Sequence, residues 1–199
     1  MQLTSIPVLV KMPDHPTKQR MIRATAESMR RHGVAGTSFT EVLEQSGAAR
    51  GAIYHHFPGG KAELAEAAVR LTEADVSAAL DALPPARTSA EVIDAFLTAI
   101  RPVICESARG AGCAVAAAAT ESAPGTPLQL ASQHALRSWR VSLTGHLKAA
   151  GADHRTATGL ATLLITTLEG AHVLCRAEGS VKPFDAAATT LRALAAGTD

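Results

Sequence analysis

Apolar residues recur at helical spacing along most of the chain, and glycines and prolines divide that pattern into three short segments followed by longer ones. The first helix is expected from about Thr17, as N-cap, to His32, with Gly33 as its stop. Ile22, Ala26 and Met29 form its apolar face, while Arg20, Arg23, Arg30 and Arg31 lie on other faces, the last two read as solvated. Ser38-Phe39-Thr40-Glu41 has the spacing of a capping box, with Phe39, Val42 and Leu43 as the buried stripe behind it. Gly47 ends this second helix in a tight turn, and a third short helix is expected over about Arg50 to His56, with Ile53 and Phe57 facing inward. Pro58-Gly59-Gly60 then breaks the chain. Longer helices follow near 60–82, 89–107, 113–122, 127–149, 154–177 and 184–195, and Pro102 should kink or split the second of them.

The pattern contains no strand-like alternation, and composition agrees. Hydrophobic residues make up 47% and aromatics only 3%, with alanine dominant, which favours helix over sheet. The fold class expected is all-α. Residues 1–16, with Pro7, Pro13 and Pro16, read as an extension; 17–63 as a first, three-helix domain; and 64–199 as a larger helical domain.

Charge becomes informative only when split along the chain. Residues 1–64 hold eight Lys/Arg against five acids, a balance of +3, whereas residues 65–199 balance to −2. A basic first domain suits a polyanionic partner. Cys105, Cys113 and Cys175 are an odd set without metal-type spacing, as expected of reduced thiols. No apolar run reaches membrane-span length and no signal pattern opens the chain, so the expected location is cytoplasmic.

Two short helices joined by a glycine turn, behind a helix that supports them, form a helix-turn-helix. Its second helix is narrow enough for the DNA major groove, with its N-terminal residues against base edges. Those residues are Arg50, whose guanidinium can pair with guanine, and Gly51 and Ala52, small enough for close approach. Tyr54, His55 and Lys61 offer donors to phosphates, as do backbone N–H groups at the helix starts near Ser38 and Lys61. Ile53 and Phe57 read as core, and His56 as packing or capping the helix end.

From Arg20 to Leu64 these residues resemble the TetR family of bacterial transcriptional regulators. The resemblance rests on Gly33, Thr37 to Val42, and Gly47 to Phe57, with Ile53-Tyr54-His55-His56-Phe57 its most specific stretch. Pro58-Gly59-Gly60-Lys61 and Gly112 to Ala117 resemble the LmrA/YxaF-type branch. The resemblance implies DNA contacts from Thr37, Ser38, Arg50, Gly51, Ala52, Tyr54, His55 and Lys61. It also implies a second domain that binds an effector and forms a homodimer. Ala49 departs from the pattern, because the family usually places a Ser or Thr cap there; the missing cap should cost about 1 kcal/mol of helix-end stability.

The last two helices, about 154–177 and 184–195, are the expected dimer surface. Gly159, Ala161, Gly170 and Ala171 would admit a partner helix closely, giving an intermolecular four-helix bundle with Phe184, Ala187, Leu191 and Leu194. The other helices should enclose an effector pocket, with Phe96, Ile100, Cys113, Ala117, Glu121, Trp139, Leu143, Thr166 and His172 as candidate liners; most of these residue types are also ordinary core. The shortage of aromatics and charges points to a neutral or hydrophobic effector. Glu169-x-x-His172 is half of a di-iron signature but has no second copy, so it reads as core. Neither a metal-ligand set nor a cofactor motif is read, nor a nucleophile–base arrangement, so an enzyme is the weaker alternative. A ligandless architectural DNA-binding dimer is another. The reading favoured is a repressor that binds a pseudo-palindromic operator as a dimer and is released by a small-molecule effector.

Overall fold

A computed structural model describes residues 17–196. The proposed 1–16 extension lies outside the described residues. The described chain is all helix: α1 (Thr17–Gly36), α2 (Phe39–Ser46), α3 (Ala52–His56), α4 (Gly60–Asp81), α5 (Ser89–Ser107), α6 (Ala114–Glu121), α7 (Pro127–Ala149), α8 (His154–Glu178) and α9 (Lys182–Ala196).

The short helices form where glycine geometry allows them. Gly47 takes the left-handed conformation (φ 63°, ψ 27°) that closes α2, and its N–H and that of Ala48 return to the Glu44 and Leu43 carbonyls. Gly33 is an interruption and not a full stop: at φ 74°, ψ −179° it kinks α1, and helical backbone resumes to Gly36. Met21, Met29, Val42, Ile53, Phe57 and Leu64 are buried together, which fixes α2 and α3 against α1 and the start of α4. Arg20 adds a polar tie, its Nε donating to the Ser46 carbonyl at 2.9 Å.

The capping box does not form. Ser38 is the N-cap of α2, but its side chain makes no cap bond. Glu41 turns toward α1 instead, accepting from Ser28 Oγ at 3.1 Å and lying 3.7 Å from His32 Nε2. A buried hydroxyl outcompetes a solvated backbone N–H for that carboxylate.

Beyond Gly60, α4 leads from the helix-turn-helix into the larger helical body. It packs on α1 and α7, α6 fits between α1 and α7, and α8 packs on α5, α7 and α9. α5 is not split: it runs unbroken through Pro102, which is exposed and costs one backbone hydrogen bond. α8 corrects a further expectation, because its length and a window of mean hydropathy 1.3 are enough, on those grounds alone, to cross a membrane. Its apolar residues fall on two sides. Ala161, Leu164, Leu168, Ala171 and Cys175 are buried in the chain's own core, while Leu163, Val173 and Leu174 are exposed.

Candidate nucleic-acid interface and its link to the helical body

The first residues of the α3 region are open to solvent. Arg50 and Gly51 are exposed in the turn before α3, Ala52 opens the helix half-buried, and Tyr54 and His55 project outward, Tyr54 at 67% exposure. Tyr54 is steadied by an edge-on contact with Phe39, at 6.3 Å between ring centroids and 85° between planes. His56 is half-buried and stacks edge-on with His55 at 4.9 Å. Gly51, the N-cap of α3, provides no side-chain cap, and the Ala52 N–H is held by the Ala49 carbonyl at 2.9 Å.

The remaining predicted contacts are placed differently. Ser38 is exposed at the start of α2, whose first turn has no side-chain cap. Thr37 is buried, and its Oγ1 donates to the Gly33 carbonyl at 2.7 Å, so its hydroxyl is spent on the kink. Lys61 Nζ donates to the Ala35 carbonyl at 3.0 Å. The start of α4 is partly occupied too, because Glu63 Oε2 accepts from the Gly59 N–H at 2.8 Å.

Besides the Arg23–Asp75 ion pair to α4 at 3.7 Å, three hydrogen bonds tie α1 to α6, the turn before it and α8, and sequence reading missed them as ties. Glu121 Oε2, at the end of α6, accepts from the Ala35 N–H at 2.8 Å. Arg30 Nε donates to the Gly112 carbonyl at 3.2 Å, so Arg30 is not part of a solvated face. Arg176 of α8 donates to the Arg31 carbonyl at 2.9 Å. The partners lie 86, 82 and 145 residues apart along the chain, beyond any local sequence signal.

The candidate effector liners scatter. Phe96, Trp139 and Leu143 are packed in the core, and Trp139 Nε1 already donates to the Glu73 carbonyl at 3.3 Å. Ile100 and Ala117 are half-buried, Glu121 and Thr166 exposed. An open groove of about 610 Å³ lies between α4 and α7, lined by Ser77, Asp81, Ser138, Ser142 and His146 among others, and by none of the candidate liners.

Two candidates do converge. Cys113, the N-cap of α6, and His172 of α8 meet Glu169, one turn away from His172, with potential ligand atoms of all three within 4.8 Å of one another. Both Glu169 carboxylate oxygens are buried without a hydrogen-bond partner. Such an orphan costs about 1–3 kcal/mol or more. Burial pushes the Glu169 carboxyl up to about 7, with the neighbouring Cys113 thiol pulling it part of the way back. Burial also raises the Cys113 thiol, helped by Glu169, and lowers His172 to about 4, helped by Arg30. His172 Nδ1 shares a 2.7 Å hydrogen bond with Ser107 Oγ.

A compact helix-turn-helix with an exposed second helix, carried on a larger helical body, is the architecture of a DNA-binding regulator. Comparison with known proteins makes the assignment specific. Residues 21–68 match the profile of bacterial regulatory proteins of the tetR family, and residues 89–190 match that of the C-terminal domain of LmrA/YxaF-like transcriptional regulators. An uncharacterized HTH-type transcriptional regulator of Mycobacterium tuberculosis is 30% identical over 183 residues, covering 89% of this chain and 93% of the relative. The HTH-type transcriptional regulator LmrA of Bacillus subtilis is 29% identical, covering 79% and 85%. Among solved structures, a TetR transcriptional regulator from Legionella pneumophila superposes with a TM-score of 0.78 at 22% identity, covering 92% of this chain and 98% of that one. The chain belongs to the TetR family of bacterial transcriptional regulators, in its LmrA/YxaF-like branch.

Proposed function

We propose that the chain is a repressor that binds a pseudo-palindromic operator as a homodimer and is released by a small, mainly apolar effector. The observation carrying this reading is the outward face of the α3 region, where Arg50, Gly51, Tyr54 and His55 are exposed on a rigidly packed support. Arg50 pairs with a guanine edge, Gly51 and Ala52 allow close approach, and Tyr54 and His55 donate to phosphates. The uncapped first turn of α2 at Ser38 supplies further phosphate donors. Thr37 and Lys61 are already bonded within the chain, so in this reading Thr37 shapes the kink and Lys61 reaches DNA only by giving up Ala35.

Residues 17–63 form the DNA-binding domain and 64–199 the effector and dimer domain. The exposed stripe on α8 carries Gly159, Leu163, Thr166, Gly170, Val173 and Leu174, at the three- and four-residue steps of one helix face. Nothing lies beside a Cβ position at Gly159 or Gly170, so a partner helix can approach closely there. With α9 this surface makes a two-fold bundle; Ala161 and Ala171 face the chain's own core and do not contribute. Effector binding acts through α4 and the three ties to α1, which set the attitude of the helix-turn-helix.

A second reading, a ligandless architectural dimer, is favoured by the close packing of Phe96, Trp139 and Leu143. The discriminating experiment is binding of the purified protein to DNA from upstream of its own gene across a salt series. A repressor prefers one fragment and shows a log–log slope near −0.9 per neutralised phosphate. Equal binding to every fragment overturns the operator reading and favours the architectural one.

A further inference from the structure

We propose that Cys113, Glu169 and His172 form a site for one divalent transition-metal ion of the zinc class, with its fourth coordination position open. The three side chains come from the N-terminal end of α6 and from successive turns of α8, and their potential ligand atoms already lie within 4.8 Å of one another. Ligands around a tetrahedral zinc stand roughly 3.5 Å apart, as follows from metal–ligand bonds of about 2.0–2.3 Å. The set therefore closes by about 1 Å, a side-chain adjustment. One thiolate, one imidazole and one carboxylate suit zinc, cobalt or copper, and disfavour magnesium and calcium, which require oxygen.

A second, independent observation points to an occupant. Both oxygens of Glu169 are shielded from solvent and have no hydrogen-bond partner of good geometry, although they lie near an imidazole and near the Cys113 thiol, whose pull on the carboxyl is felt in its acidity. A metal ion satisfies them and is neutralised by the two anions, thiolate and carboxylate. His172 Nδ1 is engaged by Ser107 Oγ at 2.7 Å, which assigns Nε2 to the ion in this proposal, with the serine as the outer partner that fixes the imidazole. The nearby cation, Arg30, is paired with Glu27 at 3.0 Å and does not stand alone against an incoming ion.

The location gives the ion a lever. Gly112, adjacent to Cys113, accepts from Arg30 of α1, and Arg176, one turn beyond His172, holds the Arg31 carbonyl. Drawing α6 and α8 together on a metal shifts both anchors of α1 and with it the helix-turn-helix. This coupling rests on the regulator reading above; the metal site itself does not.

The experiment is a titration of chelator-treated protein with Co2+, followed by displacement with Zn2+. The expected result is one equivalent bound, with a thiolate-to-cobalt charge-transfer band and tetrahedral d–d bands. Cys113→Ser, which keeps the shape, should abolish the charge-transfer band, and Glu169→Gln should weaken binding by about 10-fold or more. Far-ultraviolet circular dichroism verifies that both variants fold. Absence of the band in the wild type, or its persistence in Cys113→Ser, overturns the site. Zn2+ should then change the affinity for the preferred upstream fragment in wild type and not in Cys113→Ser. Metal binding with unchanged DNA affinity overturns the coupling alone, and absence of any fragment preference in both the metal-free and the Zn2+-loaded protein overturns the regulator reading instead.

Discussion

At Gly33 the backbone sits at φ 74°, ψ −179°, and a Cβ added there collides with Glu121 Oε1. Two costs therefore fall on one substitution. Gly33→Ala should destabilise by about 1–3 kcal/mol from the backbone alone, since this region belongs almost only to glycine. Denaturant unfolding measures the total, and repeating it with Glu121→Ala separates the parts: the backbone cost persists and the collision disappears. Trp139 poses a different question, because a large buried ring can be a ligand platform or a packing unit. Its bond to the Glu73 carbonyl and 1% exposure describe a packing unit. Trp139→Phe should lower stability by about 1–3 kcal/mol through the lost indole hydrogen bond and lost volume, read in the same assay. Sequence recognised the glycine as a break but could not tell a kink from a stop. Thr37 holds the kink locally through the Gly33 carbonyl, and Glu121, 86 residues from its Ala35 partner, holds it from outside.

Among the elements, α3 was the most legible and its surroundings the least. The glycine turn, the inward Ile53 and Phe57 and the outward Tyr54 follow from helical spacing and are seen in the structure. The capping box was misread because Ser38 and Glu41 satisfy a local rule, while Ser28 and His32, contributed by α1, claim the carboxylate. Arg30 was misread for the same reason: a helix shows its charges in sequence but not the carbonyl that another segment brings to it. The structure places the N-cap of α3 at Gly51, two residues beyond Ala49, and the Ala49 carbonyl already holds the Ala52 N–H. Ala49→Ser should therefore change stability by less than about 0.5 kcal/mol, measured by thermal or denaturant unfolding. On the DNA side, Tyr54→Ala should weaken binding to all sequences alike. Arg50→Ala should cost about 1–3 kcal/mol at one base pair and blur specificity there. Titrations against the preferred fragment and its single-base variants distinguish the two.

The molecule as a whole reconciles a long apolar helix with a packed chain. α8 has more apolar surface than its own core can use, and the surplus lies on one exposed face with two glycines. A partner copy covers that face in the proposed dimer. Val173→Glu, at a position 67% exposed, should leave the monomer folded and shift sedimentation from dimer to monomer. An unchanged dimer would move the interface elsewhere. The helical architecture was readable from periodicity and breakers, whereas the joint between α1, α6 and α8 was not, because it is made by contacts distant in sequence. The central claim is that two copies of the α3 face read DNA together. Hydroxyl-radical footprinting of wild type on the preferred fragment tests it most directly. The account predicts two protected blocks on one face of the duplex, about one helical turn (34–36 Å) apart centre to centre. A single protected block, or even protection along the whole fragment, would contradict it.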